Sequence, residues 1–130
     1  MSGANYVLDK SFMIETTSIT AYTIVKFGSA DNLATAVTGV TDEMLGVVQE
    51  SVATADLSKR AVDVRLLGIS YAIVGVTPVV RGNRLKVTAT GTVIPVTADA
   101  DFVVGRAMMS GAAGDRVLML LTPAAQRGTA

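Results

Sequence analysis

Asp99 and Asp101, two residues apart, are the acidic pair whose spacing best suits chemistry. Two neighbouring carboxylates can act as a general acid and base, or supply half of a metal site. A calcium loop needs further oxygen ligands at fixed positions, whereas Asp101 is followed by the apolar run Phe102-Val103-Val104. The pattern therefore favours two aspartates that begin a turn before a strand.

Basic residues cluster around a glycine turn: Arg81, Arg84 and Lys86 surround Gly82-Asn83, and Lys59 and Arg60 lie in another polar segment. Such groups can contact phosphates or an acidic protein surface. Sites for single-stranded nucleic acid add aromatic side chains on which bases stack. The chain has three Phe, three Tyr and no Trp, and none is interleaved with these basic residues. The pattern favours solvated hairpin tips and leaves an acidic protein partner open.

Three methionines and two glycines near the end of the chain allow other interpretations. Met108, Met109 and Met119 could form an adaptable binding surface, but flexible thioether side chains also fill core gaps, and we favour the core. Gly111 and Gly114 share only their composition with phosphate loops, because no Lys-Ser or Lys-Thr pair and no predicted helix follows.

Composition excludes most catalytic chemistry. The 130 residues include no Cys and no His, so disulfides, Cys or His metal sites, Cys nucleophiles and His-based triads are absent. Eleven basic and eleven acidic residues give a formal charge of zero, and nothing in the net charge favours nucleic acid or an anionic membrane. We expect no enzymatic activity, no cofactor, no structural metal, and neither nucleic acid nor a membrane as a partner.

Low charge predicts assembly. Charged residues make up 17% of the chain, against roughly 25% in ordinary soluble domains. Part of the apolar surface is therefore expected to be covered by other subunits of a homo-oligomer. The longest weakly polar run, Leu66–Val80, contains Gly68 and Pro78 and is too short for a spanning helix, and the N-terminus lacks a signal-peptide pattern.

The elements that would position these residues are strands. No ten-residue window keeps a helical period, which predicts an all-β barrel or sandwich over residues 21–122. Residues 1–20 are predicted to form an extended arm that pairs with a neighbouring subunit or a shell, and residues 123–130 a short polar tail. The candidate contact residues are Tyr6, Phe12, Met13 and Ile14 in the arm, with Arg81 and Arg84 at the hairpin tip.

Turn signals divide the predicted domain. The segment 110–115 joins two strands, Val103–Met109 and Arg116–Leu121, into a closing hairpin. Gly82-Asn83 predicts a two-residue hairpin loop, and Thr90-Gly91-Thr92 a second turn. Pro95 predicts an edge strand.

A segment earlier in the chain is similar in sequence to the start of the closing hairpin. Residues 42–47 (Asp-Glu-Met-Leu-Gly-Val) are similar to residues 101–106 (Asp-Phe-Val-Val-Gly-Arg), and each segment is followed by a loop and an alternating apolar strand. The two strands carry Val62, Val64 and Leu66 in one case, and Val117, Met119 and Leu121 in the other. We therefore predict a two-copy internal pattern.

The ending Val104-Gly105-Arg106-Ala107, followed by Ala113-Gly114-Asp115-Arg116 and an apolar strand, resembles the tailed-phage capsid decoration (cement) family over roughly residues 20–122. Arg106 departs from the small or apolar residue expected after Gly105. The resemblance implies a small β-tulip-like barrel that docks on the outside of a phage head, commonly as a trimer, and stabilises the shell.

The implied partner is the major capsid protein, and the implied location is the capsid exterior of the virion after synthesis in the host cytoplasm. Two alternatives stay open. One is another virion structural subunit, from the head–tail junction or the tail tube, and the other is a barrel that binds a small ligand or a glycan.

Overall fold

The computed structural model describes residues 7–39, 42–98 and 102–127. Within these ranges it has ten β-strands, a 3-10 turn at Thr54–Asp56 and no α-helix. The strands are β1 (Leu8–Ile14), β2 (Ile24–Phe27), β3 (Leu33–Ala36), β4 (Gly46–Val48), β5 (Ala61–Leu67), β6 (Ile69–Ile73), β7 (Arg84–Val87), β8 (Val93–Pro95), β9 (Phe102–Ala107) and β10 (Arg116–Arg127). The prediction of an all-β barrel or sandwich is confirmed.

The first five strands close into a barrel in the order β1-β3-β2-β4-β5. β1 pairs with β5 antiparallel and with β3 in parallel, which closes the circle. Alternating residues of these strands point inward, so that Phe12, Ile14, Val25 and Val64 share one buried cluster. We call this half the barrel.

The last five strands form a second sheet in the order β6-β10-β9-β7-β8, and a parallel bridge between Val74 and Val93 connects its two end strands. Its register repeats that of the barrel. Ile24 faces Val47 as Arg84 faces Arg106, and the Val25–Gly46 pair matches Leu85–Gly105. The second sheet is therefore a structural copy of the barrel, in which residue 24 corresponds to 84, 46 to 105 and 65 to 120.

The copies share details of loop geometry. The Ala21 N–H donates to Ser51 Oγ (2.9 Å), and the Arg81 N–H donates to Ser110 Oγ (3.0 Å). In both copies the next residue has a positive φ: Tyr22 (70°) and Gly82 (94°). Glycine takes this conformation without strain, whereas tyrosine adopts it rarely.

Gly46 and Gly105 also occupy equivalent positions. A Cβ at Gly105 would lie 2.6 Å from the Leu120 carbonyl oxygen, and one at Gly46 would collide with the carbonyl oxygen of Arg65. Strands β4 and β9 can therefore approach their neighbours only because glycine has no side chain.

The two halves pack closely against each other. Ile24, Val37, Met44 and Val47 project from the outside of the barrel and belong to the buried cluster of the second sheet. The Ile24 N–H donates to the Gly91 carbonyl oxygen (2.9 Å), so the loop between β7 and β8 hydrogen-bonds to β2. A single residue, Gly68, separates β5 from β6, and its carbonyl accepts a hydrogen bond from Leu121 N–H (2.8 Å).

The prediction that residues 1–20 form an arm outside the domain is wrong for residues 8–20. β1 is paired on both sides, and the Ile19 N–H donates to the Val52 carbonyl (3.0 Å). Polar residues at alternate positions of β1 face outward, whereas Phe12 and Ile14 face the core. Residues 1–6 lie outside the described ranges.

The prediction for the Gly82-Asn83 turn and the prediction for the C-terminal tail also need correction. Gly82-Asn83 does not connect two paired strands, because Val79 forms its bridge with Gly111. The Asn83 N–H instead donates to the Val80 carbonyl (2.9 Å), closing a four-residue turn with positive φ at its third position, as a type II turn requires. The predicted polar tail starts inside β10, which pairs with β9 as far as Arg127.

Other local predictions are confirmed. β9 and β10 pair as the closing hairpin, and the Gly91 turn joins β7 to β8. No helix among the described residues has the length and apolarity needed to cross a membrane.

Candidate interaction surfaces

The described residues contain no cluster of three or more side chains suited to hold a metal ion. In the same ranges every buried side-chain nitrogen or oxygen has a hydrogen-bond partner. Asp99 and Asp101 lie outside the described residues.

The Arg65 guanidinium lies where the barrel connects to the second sheet. Arg65 donates to both carboxylate oxygens of Asp9 (2.9 and 3.2 Å) and to the Ile69 carbonyl (2.9 Å). The hydrogen bond to Asp9 raises the pKa of Arg65 further above its usual range. The guanidinium thus stays charged and links β1, β5 and the start of β6.

The predicted contact residues of the arm are largely inaccessible. Phe12 and Ile14 are 5% and 0% exposed inside the barrel, and Met13 is half-buried on its outside. Ile14 therefore cannot supply partner contacts while the barrel is intact, and only a small edge of Phe12 is accessible. Tyr6 lies outside the described residues.

Arg81 and Arg84 are exposed, as predicted, and the structure adds two neighbours to them. Arg84 and Arg106 face each other directly across β7 and β9. Lys86, on the same side of β7 as Arg84, donates to Thr97 Oγ1 (3.0 Å), and Arg106 Nε donates to the Gly82 carbonyl (3.1 Å). We call Arg81, Arg84, Lys86 and Arg106 the basic face.

Like charges directly opposite each other destabilise an antiparallel pair. The corresponding pair in the barrel is Ile24 and Val47, both fully buried against the second sheet. The same position is therefore apolar where it is covered within the chain and cationic where it is exposed.

An open groove lies at one end of the barrel, where β2 turns into β3. Its volume is about 680 Å³, and its lining consists of Lys10, Phe12, Phe27, Leu45, Leu66 and the loop 28–32. The Phe27 ring is 70% exposed and contacts Phe12 edge to face, with 6.5 Å between centroids. We call this groove the barrel mouth.

Polar groups surround the aromatic floor of the mouth. Lys10 Nζ lies 4.5 Å from the centre of the Phe12 ring and donates to Asn32 Oδ1 (3.0 Å). The Glu15 carboxylate accepts hydrogen bonds from the N–H and hydroxyl of Ser29, which orders the loop, and Asp31 lies exposed in that loop. The mouth therefore combines aromatic surface with carboxylates.

A third surface is the outer side of the β6–β10 pair. Apart from Arg116, the residues on this side are apolar. They are Ile69, Tyr71, Ile73, Leu118 and Leu120. The corresponding pair in the barrel, β1 and β5, presents Asp9, Ser11, Met13, Ala61, Asp63 and Arg65. Tyr71 and Leu120 are 43% and 47% exposed, so this apolar side is partly solvated in the isolated chain. We call it the apolar face.

The sequence interpretation missed most of these residues. The signal for Arg106 was present, since it departs from the small or apolar residue expected after Gly105. The sequence carries no such signal for Phe27 or Leu120. Each lies in a strand whose alternation predicts only which residues share a side of the sheet. Of the three methionines assigned to the core, Met119 is buried, whereas Met108 and Met109 are 43% and 40% exposed.

These observations define an all-β protein built from two structurally equivalent five-stranded halves. No protein-family model matches the chain, and no curated protein matches it. Among solved structures, the chain is similar to the N base of the head fiber gp8.5 of bacteriophage phi29, with a TM-score of 0.66 and 17% identity over 94% of this chain and 99% of that chain. At this identity the similarity shows a common fold.

Proposed function

We propose that the chain is a structural subunit of a phage virion that binds the outside of the head as a homo-oligomer, most simply a trimer, and stabilises the shell. The observation that carries the proposal is the fold similarity to the base of a phage head fiber, which extends over nearly the full length of both chains. The resemblance of the closing hairpin to decoration proteins supports the same role.

The apolar face is the surface that we assign to the major capsid protein. An apolar outer side that its own structural copy lacks is what a docking surface requires, because burial of apolar area drives most association. Its contact would be a side-on packing of sheet residues, in place of the strand addition by an arm that the sequence suggested.

The test compares heads with and without the protein by electron microscopy. Tyr71→Asp is expected to weaken head binding at least about tenfold, because it places a charge in an apolar contact. Ala61→Asp is the control, since Ala61 is exposed on the corresponding outer side of the barrel pair β1–β5, opposite Met13. Equal binding by both variants would exclude the apolar face, and absence of any added density on the heads would contradict the proposed role.

The two alternatives have distinct signatures. A tail-tube or head–tail subunit would assemble into tubes or large rings without heads, whereas a decoration protein requires the shell. A ligand-binding barrel would show saturable binding of a small molecule or glycan at the barrel mouth.

A further inference from the structure

One end of the second sheet is closed by the barrel. The counterparts of the five lining residues that lie outside the loop 28–32 are buried: Ser70, Ala72, Val87, Val104 and Leu121 are between 0% and 3% exposed. Four of them share a cluster with Ile24, Val37, Met44 and Val47 from the outside of β2, β4 and the adjoining segments. The outer side of one half thus covers the open end of the next.

The barrel mouth is the same end of the other copy, and nothing within the described residues covers it. Phe27, 70% exposed, corresponds to Val87, which is fully buried. Leu45 and Leu66 are half-buried, whereas their counterparts Val104 and Leu121 are 0% and 3% exposed. The described part of the chain therefore has one covered end and one open end, at equivalent places in its two halves.

The outer surface of the barrel that packs over the end of the second sheet also has a counterpart in the second sheet. In the barrel it consists of Ile24 and Val47, and in the second sheet the corresponding pair is Arg84 and Arg106 on the basic face. The chain therefore presents an open mouth at one end and, on its other half, the side that would cover such a mouth.

The chemistry of the two surfaces matches. Arginine guanidinium groups pack on aromatic rings and pair with carboxylates. The mouth offers the exposed ring of Phe27 and the carboxylate of Asp31, with Glu15 beside them. Lys10 in the mouth already lies over Phe12 and donates to Asn32.

We propose that the basic face of one copy of this chain covers the barrel mouth of a second copy, which repeats between subunits the packing of the two halves within one subunit. The inference rests on the homo-oligomer proposed above and names its interface. The contact joins two different surfaces, so it generates a closed ring or a filament. A ring of three chains would contain six equivalent halves.

The test uses two full-length variants. The face variant carries Arg84→Glu and Arg106→Glu, and the mouth variant carries Phe27→Arg, which places a cation opposite the arginines. Each alone is expected to raise the Kd of self-association at least about tenfold, measured by sedimentation equilibrium. An equimolar mixture is expected to associate again, because the intact face of the mouth variant meets the intact mouth of the face variant, and the introduced glutamates lie opposite the introduced arginine.

Lys59→Glu is the control, because Lys59 is exposed beyond the start of β5, at the end opposite Leu66. It should assemble as the wild type does. If the face variant loses its thermal transition, Asp31→Lys and Phe27→Arg still test the mouth, since both residues are exposed.

A monomeric wild-type protein, unaltered assembly of both variants, or a mixture that stays monomeric would each overturn the inference. A mouth variant that self-associates normally but no longer binds heads would also overturn it, because the mouth would then belong to the shell. These measurements use the free protein. A ring that forms correctly but does not bind heads would contradict only the proposed function.

Discussion

Asp42 connects two segments of the barrel through its carboxylate. It accepts hydrogen bonds from the N–H groups of Thr38 (2.8 Å) and Gly39 (3.1 Å) and from Lys26 Nζ (3.1 Å). The Thr38 bond, followed by that of Lys26, lowers the pKa of Asp42 to about 2. A carboxylate that accepts several hydrogen bonds is stabilised in its charged form.

This lowered pKa predicts a pH-dependent contribution to stability. Because the folded pKa lies below the unfolded value of about 4, the carboxylate stabilises the fold above that pH, and the contribution is lost as the pH falls from about 4 to about 2. Asp42→Asn is expected to lower the free energy of unfolding by about 1 kcal/mol at neutral pH, a value reduced for partial solvent screening.

Urea denaturation at a series of pH values measures this effect. The difference between wild type and Asp42→Asn should shrink toward the acid end. Asp63→Asn serves as the control, since its carboxylate accepts a 3.3 Å bond from Ser11 on the exposed side of β5. A difference that stays constant down to about pH 2 would contradict the assignment.

At the scale of elements, β1 is part of the barrel core, and substitutions along it should reflect its two sides. Ile14→Ala is expected to cost about 2–5 kcal/mol of folding stability, because Ile14 is fully buried and leaves a cavity. Met13→Ala, on the outer side of the same strand, is expected to cost about 1 kcal/mol or less. Chemical denaturation of the two variants compares them, and equal losses would mean that β1 does not close the barrel.

β1 also shows where sequence reasoning succeeds and where it does not. Its inward pair Phe12 and Ile14 is flanked by the polar residues Lys10, Ser11 and Glu15, and its parallel partner β3 lies far along the chain. A parallel pair formed at a distance leaves no local turn signal, unlike the adjacent antiparallel strands β9 and β10, which were predicted correctly. Turn residues show a similar limit, because Gly82 suits either a hairpin or a type II turn, and only the distant bridge from Val79 to Gly111 selects between them.

The interaction surfaces were less predictable than the strands for a related reason. Alternation in β6 and β10 shows which residues share a side, but it does not show that Tyr71 and Leu120 are the outer ones. Only the internal comparison with Ser11 and Arg65 identifies the apolar face as unusual.

At the scale of the whole molecule, the two halves share a buried cluster and should unfold together. Ile24 and Val47 belong to the barrel by hydrogen bonding, but to the second sheet by packing. We expect one calorimetric transition whose van't Hoff and calorimetric enthalpies agree. Two resolved transitions in dilute solution would show that the halves are independent domains.

The one-residue connection at Gly68 also has a mechanical consequence. β5 continues into β6 without a flexible linker, so a tensile force applied to the second sheet is transmitted to the barrel along the backbone of β5. This strand is hydrogen-bonded to β1 on one side and to β4 on the other. Force along a paired strand loads several hydrogen bonds at once instead of breaking them one by one. The chain should therefore resist tension between its halves as a stiff coupling, and behave poorly as a hinge.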